Sequence, residues 1–442
     1  MRAESQGLRL ILRGARLRAF SGSPSVLAAS LTHTTRWSRR LATQTLYDVA
    51  NARTVAAAAA AFSQHRTDME QIQSVVRRYA DRKPAPLPLQ FLNEFGHLHS
   101  DSKRLLAASW LKDELPVRLS RRVLELELLP RALCNMPSIL AVRETYRASL
   151  LDIVTFPSLD AGGGASATAT KTNVAAFGAL LESIYARHQH VAHDVARGML
   201  ELRAYNPAMK LESDAKLQRF LDNFFRSRIA IRLMIGHYLA TRDAAAHPSR
   251  IGIVNRQCSP AALARRATAE AQELARRYYR QSVVPEVCVL GHIDARFPYV
   301  DEHVFFCLRE TLKNAMRAVI EKHADDRLGA SYIYTPIRVV IARGTEDVSV
   351  RVTDNGVGMS LRELPVALCF GYTTAPPPAL HSREKSNIFD NHVQAAGSIA
   401  GMGYGLPLSR LTAQFLGGDM ELMSMQGAGT DVTFHFPRLP TA

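Results

Sequence analysis

Glu310, Asn314 and Arg317 stand at i, i+4 and i+7, so a helix through them carries a carboxylate, an amide and a guanidinium on one face. Phe305, Leu308, Leu312, Met316 and Val319 fall on the other face. An amide oxygen such as that of Asn314 can join phosphate oxygens and water around an octahedral Mg²⁺, which keeps only one or two protein ligands. A glutamate one turn earlier can take a proton from an attacking hydroxyl. Read alone, the same spacing equally describes a solvated polar helix face. Asp354-Asn355-Gly356-Val357-Gly358 follows the alternating run Val348 to Val352, which predicts a strand leaving through a tight turn. The Asp354 carboxylate can accept from an exocyclic amine, and Gly356 and Gly358 let backbone approach a ligand closely. Read alone, that stretch is a weak signal and more simply a hairpin turn.

Further along, Gly401, Gly403 and Gly405, interleaved with Met402 and Tyr404 and followed by Leu406, precede a helical pattern. Exposed amides and the dipole at such a helix start form an anion site for polyphosphate. The pattern also suits a dinucleotide fold, but no strand-Gly-helix unit of βαβ type precedes it, nor does an acid about 20 residues on follow a parallel strand. Phe370-Gly371-Tyr372-Thr373-Thr374 leads into a polar, Pro-rich stretch, 376–400, read as a lid over nucleotide. Thr373 and Thr374 would bond phosphate from its edge, and Thr430 on the last hairpin would lie behind the adenine. His188 falls on the apolar stripe of Phe177, Leu180, Ile184, Val191, Val195, Met199 and Leu202. The bland reading there is a hydrogen-bonded core histidine.

These groups need elements to hold them. The 442 residues suffice for a sizeable core and two or three domains. A hydrophobic content of 47% with 21% charged residues fits a globular protein. No apolar run is long enough for a transmembrane helix. Five cysteines, Cys134, Cys258, Cys288, Cys307 and Cys369, are scattered without metal spacing, which favours free thiols in a reducing compartment. The net charge of +15 does not imply nucleic acid. Arg2, Arg9, Arg13, Arg16, Arg18, Arg36, Arg39 and Arg40 face the single acid Glu4 within 1–45, the composition of a mitochondrial transit peptide.

From 46 to 255 helical periodicity dominates, broken by Pro84, Pro86 and Pro88 and by the Gly-rich stretch 160–172, read as a surface loop. One long helix is expected through the His188 stripe and another over 213–241. On the helix with Leu119, Val123, Leu126 and Leu129, the cations Arg118, Arg121 and Arg122 are expected on the other face. Four long amphipathic helices argue for an antiparallel bundle. From 256 to 442, helices at 261–281, 301–323 and 405–416 alternate with strands near 287–290, 337–341, 348–352, 420–425 and 431–436. That half reads as an α/β sandwich, a mixed sheet covered on one face, so the whole is α+β.

E-T-L-K-N-A-M-R, D-N-G-V-G, F-G-Y-T-T, G-M-G-Y-G-L-P and G-T-D resemble the N, G1, F, G2 and G3 boxes of the histidine-kinase-like (GHKL) ATPase superfamily. The chain is similar, from about residue 84 to 437, to the mitochondrial kinases that phosphorylate 2-oxoacid dehydrogenase complexes; F-L-D-N-F-F-R-S-R-I-A-I-R and E-L-P-V-R-L-S-R-R carry the likeness in the helical half. The resemblance implies a matrix Ser/Thr kinase using Mg-ATP, with Asn314 on the metal, Asp354 on the adenine amine, and Gly358, Thr373, Thr374, Gly401, Gly403, Gly405, Leu406 and Thr430 lining the nucleotide. It implies Glu310 as general base and His188 as the residue orienting it. Gly291 to Pro298, Ile251 to Val254 and the threonine pair look more like the branched-chain branch, with pyruvate dehydrogenase kinase as the alternative and a non-catalytic ATP-gated scaffold as the rival of another class. The implied partners are E1α, the lipoyl-bearing E2 core bound by the helical domain, and a second copy in a homodimer. Cys369 stands where the branched-chain enzymes carry an acid near a K⁺ site, and Phe306 where pyruvate dehydrogenase kinases carry a histidine.

Overall fold

Apolar residues at helical spacing build the first half of the molecule in the computed structural model, which describes residues 70–87, 92, 101–159, 167–207, 209–242, 249–323, 333–375 and 401–439. The leader at 1–45 and the expected lid at 376–400 lie outside these residues. In α1 (Asp101–Glu127), Leu111, Leu115, Leu119, Val123 and Leu126 are buried at steps of three or four residues. A short α2 (Arg131–Cys134) leads into α3 (Pro137–Thr155), which starts on a proline whose missing N–H would have had no intrahelical partner. Helices α4 (Ala167–Arg187) and α6 (Ala215–Arg242) complete a closed quartet with α1 and α3, and α5 (Val191–Tyr205) packs on α3.

Two expectations are corrected here. The single helix expected through His188 is two, separated by a turn at 188–190. The turn frees the carbonyls of His188 and Gln189, and both accept from the Arg228 guanidinium, at 3.0 and 3.1 Å. The Gly-rich loop is also shorter than 160–172, because α4 already begins at Ala167. In α1, Arg118 and Arg122 do not face water as their helical phase suggested. Both are buried, Arg118 against Glu114 and the Ala85 carbonyl, Arg122 against Glu125 and the Asn223 carbonyl. A guanidinium on a long stem can reach a buried carbonyl that its helical phase does not predict.

The second half is built on a five-stranded sheet in the order β3-β5-β6-β8-β7. Its strands are β3 (Val287–Gly291), β5 (Ile337–Arg343), β6 (Asp347–Asp354), β7 (Asp419–Met425) and β8 (Gly429–Pro437). β3 and β5 run parallel and every other pair is antiparallel, so the sheet is mixed. In β5, Ile337, Val339 and Ile341 are buried while Arg338 and Val340 are exposed, the alternation of a sheet covered on one face. The cover is α7 (Pro260–Tyr279), α8 (Asp301–Lys322) and α9 (Gly405–Phe415). Ala261, Ala264, Ala267, Ala271 and Ala275 form the buried stripe of α7, and side chains that small bring it close against α8.

A second sheet, β1 (Arg250–Ile251), β2 (Val254–Cys258) and β4 (Phe297–Val300), has no counterpart in the sequence reading. It straddles residue 255, where the composition shifts. Its strands are too short to show a period, and β2 is interrupted by Asn255, Arg256 and Gln257.

Candidate functional site

α8 supplies the first wall of the site. Its apolar stripe (Val304, Phe305, Leu308, Leu312, Met316 and Val319) is buried, and this turns Lys313, Asn314 and Arg317 outward. Glu310 is only 5% exposed, yet with those three residues it lines a cavity of about 440 Å³. Asp354, Gly358, Thr373, Thr374, Gly401, Gly403, Gly405, Leu406 and Thr430 line the same cavity. Five segments far apart in sequence therefore meet around one space.

Asp354 ends β6 opposite Thr430 of β8. Its Oδ1 accepts from the Gly356 amide at 2.8 Å, which closes the turn. Burial pushes its carboxyl up to about 6, against the pull of the Gly356 and Thr430 amides. Gly358 has φ +64°, and a Cβ there would lie 2.0 Å from the Met425 carbonyl oxygen, so only glycine fits. The Lys322 ammonium donates to the Asn355 and Gly427 carbonyls, at 2.9 and 2.8 Å, and ties this turn to the β7–β8 hairpin.

The glycine-rich segment runs into α9, whose N-cap residue Tyr404 makes no side-chain capping bond. Among the described residues the first amides of the helix thus have no capping side chain at the cavity wall. The Gly371 amide donates to the Gly403 carbonyl at 3.0 Å and holds this loop to the Phe370–Thr374 segment. Thr374 Oγ1 accepts from Arg317 at 3.1 Å, and Thr373 Oγ1 accepts from the Ala375 amide at 3.1 Å. On the helical side, Gln218 brackets the backbone of Phe370. Its Nε2 donates to the Phe370 carbonyl at 3.0 Å, and its Oε1 accepts the Phe370 amide at 2.8 Å.

Glu310 is the most constrained group in the cavity. Lys313 Nζ donates to both of its carboxylate oxygens, at 2.9 and 2.8 Å, and Arg309 lies at 3.3 Å. Burial raises the carboxyl, but Lys313 and then Arg309 outweigh it and hold it below its ordinary value. Asn314 is exposed and has no hydrogen-bond partner among the described residues. One free amide oxygen at the cavity edge fits a Mg²⁺ ion that takes its other ligands from phosphate and water.

Three of the expected residues are placed elsewhere. Gly356 packs under α8 against Ala318, and Tyr404 is buried against Phe225 and Phe370. His188 belongs to the helical core: its Nε2 is 2.9 Å from Ser149 Oγ, and its ring meets the Tyr146 ring edge-on at 4.6 Å. Among the described residues no hydrogen bond joins it to Glu310. The sequence reading gave no role to Lys313, Glu321, Glu363, Tyr372 or Gln426, which also line the cavity. Lys313 had a signal, since it follows Glu310 by one helical turn. Cys369 lies outside the lining. A larger cavity, about 520 Å³, lies between α6 and α8 and includes Arg228, Arg232, Asp301 and Arg309. It holds none of the predicted residues, so the smaller one is the candidate site.

Comparison with known proteins agrees with this geometry. A family model described as mitochondrial branched-chain alpha-ketoacid dehydrogenase kinase matches residues 86–255. A second, histidine kinase-, DNA gyrase B- and HSP90-like ATPase, matches 300–440. The mitochondrial [pyruvate dehydrogenase (acetyl-transferring)] kinase of Arabidopsis thaliana is 33% identical over 364 residues, covering 82% of this chain and 93% of its own length. Isozyme 3 of that kinase in Mus musculus is 31% identical over 388 residues, covering 85% and 86%. Isozyme 4 in Rattus norvegicus is 32% identical over 373 residues, covering 82% and 84%.

Proposed function

The chain belongs to the mitochondrial 2-oxoacid dehydrogenase kinase family, and on that premise we propose that it phosphorylates a serine on E1α of the pyruvate dehydrogenase complex. The coarser statement stands without the proposal: it is an ATP-using mitochondrial protein serine/threonine kinase of the GHKL fold. The expectation of a branched-chain substrate gives way to its alternative, because the relatives described above are named as pyruvate dehydrogenase kinases.

The observation that carries the site assignment is the single cavity shared by Asn314, Asp354 and the 401–405 glycines. In this reading Asp354 accepts the adenine amine, and the glycine loop with the start of α9 receives the polyphosphate. Asn314 supplies one oxygen to Mg²⁺, and the bound metal neutralises charge on the phosphates. Arg317 and Thr374 close the outer edge. Glu310 takes the proton as the serine oxygen bonds to the γ-phosphorus and ADP departs. Catalysis is then mainly positioning and charge neutralisation. The helical half docks the lipoyl-bearing E2 core, and the kinase acts as a homodimer. Co-sedimentation with isolated E2 core and sedimentation equilibrium of the kinase alone test those two points, and a monomer that ignores E2 defeats both.

The substrate test is radiolabelled ATP offered with purified pyruvate and branched-chain dehydrogenase complexes side by side. Label on pyruvate dehydrogenase E1α is expected. Label confined to the branched-chain E1α returns the assignment to that branch, and label on neither leaves the scaffold reading.

A further inference from the structure

We propose that Lys313 is a ligand of the terminal phosphate of ATP, and that the same ammonium engages Glu310 until the triphosphate arrives. The inference rests on the phosphotransfer reading of this cavity and adds to it a residue and an order of events.

Charge at the cavity wall is the starting point. Among the described residues, its lining includes the acids Glu310, Glu321, Asp354 and Glu363 but only two cations, Lys313 and Arg317. A triphosphate entering that wall needs cationic donors of its own beyond a metal. Arg317 is already engaged, with Nε 2.7 Å from Glu321 and a terminal nitrogen on Thr374. The Lys322 ammonium is committed to two backbone carbonyls. Lys313 remains, and its present partner is the carboxylate that the reaction requires as a base.

The lysine holds both oxygens of Glu310. This lowers the proton affinity of Glu310, in the direction already described, and occupies lone pairs that a serine hydroxyl would use. An ammonium on a four-carbon stem can swing between two acceptors without moving the backbone, which the planar guanidinium of Arg309 does less readily. A phosphate oxygen at the start of α9 competes for it, and that helix start already lies against Glu310: a Cβ on Gly405 would come 2.8 Å from Oε2. When the ammonium turns to the γ-phosphate, Glu310 regains basicity where the serine proton must go. ADP has no γ-phosphate, so after transfer the pair closes again. The base is thus released only when there is a group to transfer.

The test is equilibrium binding to the full chain in Mg²⁺, titrating ADP and a β,γ-non-hydrolysable ATP analogue by calorimetry. Lys313→Gln should weaken the triphosphate about tenfold, the scale of one charge-assisted contact, and leave ADP unchanged. Lys313→Arg should recover most of the loss. Glu310→Gln should tighten the triphosphate several-fold in the Lys313 background and do nothing in Lys313→Gln. Lys313→Met, which keeps the stem, repeats the measurement if the glutamine variant does not fold. Equal weakening of ADP and triphosphate overturns the proposal, because it marks a structural lysine. A Glu310→Gln gain of the same size in both backgrounds also overturns it, because that is plain charge repulsion. No phosphoryl transfer enters the measurement. If neither dehydrogenase complex is labelled while the binding cycle holds, only the kinase reading fails.

Discussion

The helical half and the sheet half each bury a polar side chain, His188 and Glu310, and they differ in what lies beyond it. His188, 3% exposed, is bonded within the bundle to Ser149, set edge-on to Tyr146, and fixed through its carbonyl by Arg228. Burial, with the nearby charges of Arg228, Arg232 and Arg187, pushes its imidazole down to about 3, so it stays neutral at physiological pH. Glu310 is as buried, but its carboxylate stays ionised and borders a cavity. Both could pass for members of one catalytic pair in sequence. Burial does not separate them; the open space beside Glu310 does, together with a cation that can be drawn away.

The sharpest way to break that contrast is at Glu310. Glu310→Gln should lower kcat for E1α phosphorylation by about 10³-fold, within the usual range for a lost general base, without weakening Mg-ATP binding. Near-wild-type turnover would remove the base role. His188→Ala should instead cost about 2 kcal/mol of stability in urea unfolding and change kcat of the folded enzyme less than about tenfold. A drop in kcat like that of Glu310, at an unchanged unfolding midpoint, would make the two residues one machine after all. The pH dependence of folding adds a sign. With its folded value below its unfolded value, His188 binds fewer protons in the fold. Stability is therefore lost as pH falls from about 6.5 toward 3, and the His188 variant should show a shallower acid decline.

Gly356→Ala extends the comparison into the sheet half, at a position near the cavity but not lining it. A Cβ there would lie 2.5 Å from the Ala318 Cβ and 2.6 Å from the Ala318 carbonyl carbon. The expected result is a loss of about 1–3 kcal/mol from overpacking, read by the same urea melts. Asp354 gives a smaller and pH-dependent effect. With its carboxyl raised to about 6, it must lose a proton to accept the adenine amine. Mg-ATP affinity should therefore rise about tenfold from pH 5 to 7.5, measured at saturating Mg²⁺, and the rise should flatten in Asp354→Asn. Smallest is Gln218→Leu, which removes a neutral pair of hydrogen bonds and should raise KM for ATP about threefold with kcat little changed.

The residues that meet in the candidate cavity were legible in sequence, while several details of the fold around them were not. The spacing of Glu310, Asn314 and Arg317 placed three groups on one wall because helical phase is local. Asp354 and Gly358 were readable from an alternating strand followed by turn residues. The break at 188–190 was not, because the apolar stripe runs on across it and the guanidinium that stabilises it comes from Arg228, on another helix. Buried Arg118 and Arg122 escaped for a similar reason: besides a carboxylate on its own helix, each is held by a carbonyl supplied by tertiary packing. The inward turn of Tyr404 depends on Phe225 and Phe370, which no local pattern joins to it.

Gln218 sits in the first turn of a helix of 28 residues, roughly 42 Å long at the usual rise, and clasps the two peptide groups that flank Phe370. Those peptides begin the segment leading to Thr373 and Thr374. The helix is therefore a lever whose long arm ends at the rim of the candidate site. A tilt of about five degrees around its far end would carry the threonine anchor some 3–4 Å, comparable to the reach of a hydrogen bond.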